Sequence, residues 1–472
     1  MSEDRPTNWR PARMQSDPAR VVALDVLEQV RNGAYANIAL PATLKRANVR
    51  GRGRGFATNL TYGTLRMQGR WDAIIAHCVQ GRPVDEIDPL VMDILRLGAH
   101  QILGLRVPIH AAMNETVNLA RNEAGSGASG FVNAVMHRIS ERTSEEWDEV
   151  LAKELADKGE LAVLGAQASH PEWILKVYED AFKASGRDVA DLPKLLEANN
   201  EPAKVAIAPR AVSRETIIDE AKEAGIEITD GELMPDALVL EKGNPGRMPS
   251  VRELSAGVQD EGSQLVAHLV AEAPLEGEDS AWLDMCAGPG GKTATLASLT
   301  GERDVTIFAN ELHPHRLDLV ADAVAPFGDM VVMREGDGRE LADEEPNRFD
   351  RVLVDAPCSG IGSLRRRPEA RWRKTEEDAD GMHEVQLGLL EAAIDATRPG
   401  GLICYSTCSP DLRETTEIVE AFADRVEVLD AVELARTLAL PGKLDGIAGP
   451  YLQLWPDMHE SDAMFVALLI KK

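Results

Sequence analysis

Two cysteines of this 472-residue chain lie 50 residues apart in similar short motifs, Asp355-Ala356-Pro357-Cys358 and Ser406-Thr407-Cys408. Each motif directly follows an apolar segment that predicts a buried strand. A single cysteine at a strand end is usually a small buried hydrophobe. Two such thiols beside a carboxylate favour covalent chemistry instead, because one thiolate can add to an electron-poor carbon while a second thiol serves as a base.

The set formed by Asp355, Cys358 and Cys408 suits methylation of a pyrimidine at carbon 5. That carbon becomes nucleophilic once a thiolate has added to carbon 6, and the addition requires the ring nitrogen N3 to be protonated or hydrogen-bonded. We assign the N3 contact to Asp355. A helix starting at Ser409-Pro410 is predicted to favour a thiolate at Cys408. The residue types alone do not decide which cysteine is the nucleophile.

A glycine-rich turn follows the first predicted strand of this region, with the sequence Asp284-Met-Cys-Ala-Gly-Pro-Gly-Gly-Lys-Thr293. Its glycines let the backbone approach a ligand, and the helix that follows supplies free N–H groups. A phosphate loop would need glycine at 286, where this chain has cysteine, and a dinucleotide fingerprint would need glycine at 293. Both of these alternatives are therefore weak.

Acidic residues follow the next two predicted strands. Glu311 stands where a carboxylate typically accepts the ribose hydroxyls of an adenosine, and Asp337 could accept the adenine amino group. Without a phosphate loop, the natural ligand is a nucleoside that lacks phosphates, and we expect S-adenosylmethionine. The predicted cofactor site comprises Cys286, Ala287, Gly288, Pro289, Gly290, Gly291, Lys292, Glu311, Asp337 and Asp355.

These residues must be positioned by a sheet, because short apolar strands alternate with helical segments from residue 280 onward. The predicted strands are Ala281–Met285, Val305–Asn310, Met330–Met333, Arg351–Val354 and Leu402–Ser406. Such alternation predicts a doubly wound parallel α/β sheet, which binds ligands beyond the carboxyl ends of its strands. Upstream, strands at Lys204–Ile207 and near Ala237–Leu240 flank a helix from Ser213 to Ala224. This pattern predicts a small α/β subdomain.

The N-terminal region is helical throughout, with Asp17-Pro18 and Asp88-Pro89 as helix starts. We therefore predict a multidomain chain: a flexible tail at 1–16, an all-α domain at 17–145, a linker helix at 146–170, a small α/β subdomain at 171–270, and a Rossmann-like catalytic domain at 271–472.

The net charge of −27 argues against a surface that binds nucleic acid everywhere, so RNA contacts are expected at local basic islands. Residues 1–140 carry +5, and the remainder therefore carries −32. A first island at 45–70 and a second at 365–374 are candidate phosphate-binding surfaces, although either could be an ordinary solvated helix face. The candidate RNA-binding residues are Arg46, Arg50, Arg52, Arg54, Arg365, Arg366, Arg367 and Arg371.

The rest of the composition excludes several classes of protein. We find no apolar run long enough to cross a membrane and no secretory leader, so a cytoplasmic protein is expected. Five cysteines are too few and too uneven for a disulfide framework. We assign Cys78 and Cys404 to packing, and a Cys404/Cys408 metal pair lacks two further ligands.

Several motifs together carry a family resemblance: DMCAGPGGKT, VDAPCSGIG, RRRPEARW and YSTCS resemble the successive motifs of the Sun/Nop family of RNA cytosine-C5 methyltransferases. The helical region ending in GFVNAVMHRI is similar to NusB. The resemblance covers residues 17 to 472. It implies a NusB-like RNA-binding domain and a methyltransferase domain that uses S-adenosylmethionine. It also implies that Cys408 is the nucleophile and that Cys358 assists product release.

The resemblance further implies an RNA substrate, 16S rRNA or an assembling small ribosomal subunit, with no metal and no membrane partner. We expect a monomer. Two other classes remain open from the sequence: a non-catalytic RNA-binding or assembly factor, and a phosphate-loop ATPase that depends on Lys292.

Overall fold

The structure is a computed structural model that describes residues 16–79, 81, 83–301 and 303–472. The chain forms two compact units. The first runs to Glu172 and includes Arg367–Glu369, and the second comprises Trp173–Arg366 and Ala370–Lys472. Of the predicted flexible tail at 1–16, residues 1–15 lie outside the described residues.

The first unit is helical, as predicted. Its α-helices are α1 (Pro18–Arg31), α2 (Ala36–Arg46), α3 (Gly51–Arg66), α4 (Gln68–Cys78), α5 (Pro89–Ala99), α6 (Ile109–Leu119), α7 (Ser126–Ser140), α8 (Ser144–Leu155) and α9 (Glu160–Ala168). The two predicted helix starts are confirmed: Asp17 and Asp88 cap α1 and α5, and each is followed by proline in the first turn. Apolar residues at helical spacing on α5 and α7 are buried in one core.

The segment predicted as one linker helix, 146–170, differs from the prediction. It contains most of α8 and all of α9, separated by a short 3₁₀ turn and Gly159. Gly159 has a φ of 103°, which other residues rarely adopt, so the helix cannot continue through it. Both α8 and α9 belong to the first compact unit.

The second unit begins with a small α/β part. Its elements are α10 (Glu172–Ala184), α11 (Leu192–Asn200), β1 (Val205–Pro209), α12 (Arg214–Ala224), β2 (Glu227–Asp230), β3 (Leu238–Lys242), α13 (Pro249–Arg252), β4 (Ala256–Val258) and α14 (Glu261–Glu272). Its four strands pair antiparallel in the order β2-β3-β1-β4. The sequence predicted β1, α12 and β3 but missed β2, which is mostly polar, and β4, which is three residues long.

The rest of the second unit is built on a large sheet. Its elements are β5 (Ala281–Asp284), α15 (Gly291–Leu299), β6 (Thr306–Glu311), α16 (Pro314–Val324), β7 (Val331–Glu335), α17 (Leu341–Glu344), β8 (Phe349–Asp355), α18 (Ala370–Arg373), α19 (Glu376–Ala396), β9 (Thr397–Thr407), α20 (Thr416–Glu420), β10 (Val426–Leu429), α21 (Ala431–Leu438), β11 (Leu452–Gln453), α22 (Pro456–His459) and β12 (Phe465–Lys471).

The main strand order is β10-β12-β9-β8-β5-β6-β7, and β11 pairs with β12. The five predicted strands are confirmed as the parallel strands β5 to β9. The complete sheet is mixed, because β12, which the sequence did not predict as part of it, is antiparallel to both β9 and β10. An apolar run such as Phe465–Ile470 indicates a buried strand but carries no information about its direction.

Helices cover both faces of this sheet. Along β8, Leu353 packs into the core shared with α14, whereas Val352 and Val354 face the core shared with α19. This alternation is the period of two expected for a strand that is buried on both sides. Among the residues that the structure describes, no helix is both long and apolar enough to cross a membrane.

Candidate active site

The thiols of Cys358 and Cys408 meet at the carboxyl ends of two neighbouring strands. Strands β8 and β9 are parallel, and Asp355 pairs in register with Ser406. Cys408 directly follows β9, and Cys358 lies three residues beyond β8. Their sulfur atoms are 3.4 Å apart, and both thiols are free and partly accessible. The two strands that lead to the cysteines are therefore neighbours in the sheet.

The contact between the two sulfurs makes their ionisation unequal. The hydrogen bond from Cys358 lowers the pKa of Cys408 below that of an ordinary thiol, and the positive charge of Lys292 acts in the same direction. The same hydrogen bond, together with burial, raises the pKa of Cys358 well above its usual value. Of the two thiols, Cys408 is therefore the one that loses its proton more readily.

The helix predicted to start at Ser409-Pro410 does not begin there. Helix α20 starts at Thr416, and the Ser409 hydroxyl instead accepts a hydrogen bond from the backbone of Asp411 at 3.2 Å. That interaction closes a turn, followed by the 3₁₀ segment Leu412–Glu414. The lowering of the Cys408 pKa therefore derives from Cys358 and Lys292, and the predicted contribution of a helix N-terminus was wrong.

Glu414 holds the two cysteine loops together. Its carboxylate is fully buried and accepts hydrogen bonds from the Ser359 backbone at 2.7 Å and the Ser359 hydroxyl at 2.5 Å. Gln386 donates to both Glu414 and the Pro357 carbonyl. Burial raises the pKa of Glu414. The sequence assigned no role to this residue, and only its position six residues after Cys408 could have singled it out.

Asp355 and Lys292 form an ion pair beside the thiols. The Lys292 ammonium donates to Asp355 Oδ2 at 2.7 Å, and Ser406 donates to Oδ1 at 3.1 Å. Burial opposes the charge on Lys292, yet the pKa of Lys292 is raised because the Asp355 carboxylate stabilises the ammonium. A phosphate-loop lysine must reach a phosphate, whereas this one is neutralised by a carboxylate. The pairing therefore disfavours the ATPase alternative.

The glycine-rich turn between β5 and α15 packs closely against its neighbours. Gly290 has a φ of 96°, and a Cβ there would lie 2.7 Å from the Ala323 side chain. A Cβ at Gly288 would lie 2.2 Å from the Glu311 carboxylate. Glycine is required at both positions for these reasons. Burial and nearby carboxylates raise the pKa of Cys286, so this third thiol stays protonated.

Two carboxylates follow the strands next to this turn. Glu311 ends β6 and accepts hydrogen bonds from the backbone N–H groups of Gly288 at 3.1 Å and His313 at 3.0 Å. Asp337 follows β7 and is paired with the exposed Arg339. Asn310, which the sequence did not single out, donates to the carbonyls of Met285 and Gly336 and so ties three strand ends together.

The chemistry of these residues fits an adenosine-type methyl donor. The carboxylates of Glu311 and Asp337 can accept hydrogen bonds from hydroxyl and amino groups, and each lies beside an arginine, Arg316 and Arg339 respectively. Among the described residues, no cluster of His, Cys, Asp and Glu is arranged to hold a metal ion.

The second basic island has a structural role at three of its candidate RNA-binding positions. Arg365 is buried and donates to the Pro456 carbonyl, and Arg366 bridges Asp260 and Asp462. Arg371 is fully buried and donates to the Asn199 carbonyl. These contacts contradict the prediction that Arg365, Arg366 and Arg371 bind RNA phosphates. Arg367 is exposed and lies over the Tyr35 ring.

The first basic island is exposed over most of its length. Arg46, Arg50, Arg52 and Arg54 are all exposed, and Arg46 forms an ion pair with Asp25. Lys45, Arg50 and Arg54 contribute to the wall of a depression of about 310 Å³. The island ends sooner than predicted, because Arg66 and Arg70 are buried.

Both the C-terminal and the N-terminal parts of the chain match known protein families. Residues 271–470 match the family model described as 16S rRNA methyltransferase RsmB/F, and residues 17–141 match the NusB family. A putative methyltransferase of Mycobacterium tuberculosis is 43% identical over 98% of this chain and 99% of its own length. The probable ribosomal RNA small subunit methyltransferase B of Bacillus subtilis is 30% identical, covering 97% and 100%.

Solved structures share the fold. The crystal structure of PH0851 matches with a TM-score of 0.77 at 22% identity, covering 98% of this chain and all of that one. NSun6 from Pyrococcus horikoshii, solved with SFG, matches with a TM-score of 0.53 at 19% identity, covering 64% and 98%.

Proposed function

The chain belongs to the RsmB/F family of 16S rRNA methyltransferases, and on that basis we propose that it methylates carbon 5 of a cytosine in RNA, with 16S rRNA as the substrate. One observation carries the choice of cytosine carbon 5: two thiols whose pKa values are shifted in opposite directions lie 3.4 Å apart beside the Asp355–Lys292 ion pair. That arrangement supplies a nucleophile, a second thiol and a proton source within one site. The proposed location is the cytoplasm.

The first step is addition of Cys408 to the base. The Cys408 thiolate forms a bond to carbon 6 of the cytosine, and the electrons of the carbon 5–carbon 6 double bond move towards N3. N3 takes up a proton that Lys292 supplies through Asp355, across their 2.7 Å hydrogen bond. The product is an enamine that is nucleophilic at carbon 5. S-adenosylmethionine, when bound, supplies the electrophilic methyl group that carbon 5 accepts.

Release depends on Cys358. While Cys408 is a thiolate, its charge and hydrogen bond hold the pKa of Cys358 high. Once Cys408 is bonded to carbon, that negative charge is gone, and Cys358 loses its proton to solvent more readily. The Cys358 thiolate then removes the carbon 5 proton. The bond between carbon 6 and Cys408 breaks, Cys408 leaves as a thiolate, and the N3 proton returns through Asp355 to Lys292.

The cofactor loop from Cys286 to Lys292, together with Glu311, Asp337 and Asp355, is proposed to hold the donor. Glu311 would accept the ribose hydroxyls and Asp337 the adenine amino group, after Arg339 moves aside. For RNA, we retain the exposed residues Arg46, Arg50, Arg52, Arg54 and Arg367. These cations are accessible to a phosphate backbone.

The test is methylation of unmodified 16S rRNA by the purified protein with a labelled methyl donor, followed by nucleoside mass spectrometry. We expect label in 5-methylcytidine, and loss of at least 1,000-fold in rate for Cys408→Ala, because the covalent route is removed. Cys404→Ala is the matched control, since it removes a thiol buried within β9. Undiminished labelling by Cys408→Ala would contradict the nucleophile assignment. Absence of donor binding by calorimetry would instead support a non-catalytic RNA-binding protein.

A further inference from the structure

Arg210, which directly follows β1, is a largely buried cation without an acidic partner. Two other arginines of the same unit face carboxylates: Arg351 lies 2.8 Å from Asp279, and Arg366 lies 2.5 Å from Asp260. For Arg210, no carboxylate of the described residues lies within ion-pairing distance. In a region with an excess of acidic side chains, this lack of a counter-ion is unexpected.

The contacts of Arg210 leave part of its guanidinium unsatisfied. Nη2 donates to Gln259 Oε1 at 3.2 Å and to the Gly291 carbonyl at 3.3 Å, and both of these acceptors are neutral. The buried Nε has no hydrogen-bond partner among the described residues. A guanidinium has five N–H groups, and a buried donor without an acceptor is costly. Burial lowers the pKa of Arg210 to about 10, so the group is still charged at neutral pH.

The surroundings of Arg210 are shaped to keep the guanidinium in place. A Cβ at Gly257 of β4 would lie 2.0 Å from the Arg210 guanidinium carbon, so the group lies directly against the glycine backbone. Gln259 is held in turn by a 2.7 Å hydrogen bond from Thr295 of α15. The guanidinium is therefore fixed between the small sheet and the first turn of α15.

Arg210 is connected to the reactive residues through the first turn of α15. Gly291, whose carbonyl accepts from Arg210, directly precedes Lys292, and Lys292 pairs with Asp355 beside the two thiols. A cytosine that reaches Cys408 brings its flanking phosphates into this neighbourhood. A planar guanidinium with free N–H groups matches a phosphodiester.

We propose that Arg210 binds a backbone phosphate of the RNA next to the target cytosine and so positions that nucleotide for attack by Cys408. The inference rests on the proposed function, because it takes RNA as the substrate. Arg210 acts through the RNA backbone and does not touch the reacting atoms.

The test compares Arg210→Gln with Arg247→Gln, which removes an exposed arginine of the same small α/β part. RNA affinity is measured by filter binding over a range of salt concentrations, and donor affinity is measured by calorimetry. For Arg210→Gln we expect RNA binding about 10-fold weaker at low salt. The slope of log affinity against log salt should fall by about 0.7, the value for one phosphate of a single strand. Donor affinity should be unchanged, and Arg247→Gln should match the wild type.

Two results would overturn the proposal. Weaker donor binding with unchanged RNA affinity would assign Arg210 to the carboxylate of the donor. Unchanged affinity for both RNA and the donor would make Arg210 structural only.

If Arg210→Gln melts at a much lower temperature than the wild type, Arg210→Lys replaces it in the test. This variant keeps the positive charge but loses the planar guanidinium. RNA affinity should therefore fall about 3-fold, while the slope of log affinity against log salt stays unchanged. Unaltered RNA affinity would again contradict the proposal. Because RNA binding is measured without methyl transfer, failure here is distinct from absence of 5-methylcytidine.

Discussion

Among single residues, the site depends most on two neighbouring thiols, Cys358 and Cys408, whose pKa values are shifted in opposite directions. The sequence predicted that Cys358 and Cys408 belong together, because each follows an apolar strand in a similar motif. It could not predict that the two thiols are hydrogen-bonded to each other, since this depends on a sulfur–sulfur distance of 3.4 Å. The hydrogen-bond partners of Arg365, Arg366 and Arg371 could not be predicted either, because these partners lie more than 90 residues away in the sequence.

The coupling of the thiols predicts a shift in the reactivity of Cys408. In Cys358→Ala the hydrogen bond that stabilises the Cys408 thiolate is lost, so the pKa of Cys408 should rise. We expect the pH midpoint for alkylation of Cys408 by iodoacetamide to move upward by about one unit. Peptide mass spectrometry identifies the modified cysteine, and Cys404→Ala is the control. A midpoint that stays fixed or moves downward would show that Cys358 does not stabilise the thiolate.

At the scale of elements, the parallel strands were predictable because each is a short apolar run with a polar residue at its carboxyl end. Their order and the antiparallel β12 were not, since pairing joins segments distant in sequence. The contacts of the loop after β8 were also not predictable from the sequence. Its arginines indicate a basic surface from sequence, yet Arg366 joins this loop to Asp260 at the start of α14 and to Asp462 before β12.

Arg366 is therefore predicted to stabilise the fold. Arg366→Gln leaves the buried Asp462 carboxylate and the partly buried Asp260 carboxylate without their cation, which should cost about 3 kcal/mol of unfolding free energy. The measurement is the urea midpoint, with Arg247→Gln as the exposed control. RNA affinity of the folded variant should stay within 2-fold of the wild type. Weaker RNA binding without loss of stability would restore Arg366 as a phosphate contact.

At the scale of the whole molecule, the charge of −27 is divided unevenly along the chain. Residues 1–140 carry +5, and four arginines of the first island are exposed there. The catalytic region is acidic, and many of its arginines are taken up by internal ion pairs, as Arg351, Arg366 and Arg398 show. A count of basic residues therefore overstates the surface available to RNA. Separating exposed from buried arginines required the structure.

In the proposed reaction, Cys408 attacks the base and Cys358 is required to release it. These two roles are tested by incubating Cys358→Ala with labelled 16S rRNA and methyl donor, followed by a denaturing gel. We predict a slowly migrating covalent protein–RNA band, because the adduct forms but its carbon 5 proton is not removed. The band should be absent from Cys408→Ala and from the double variant. A band in Cys408→Ala, or full turnover by Cys358→Ala without any band, would contradict these roles.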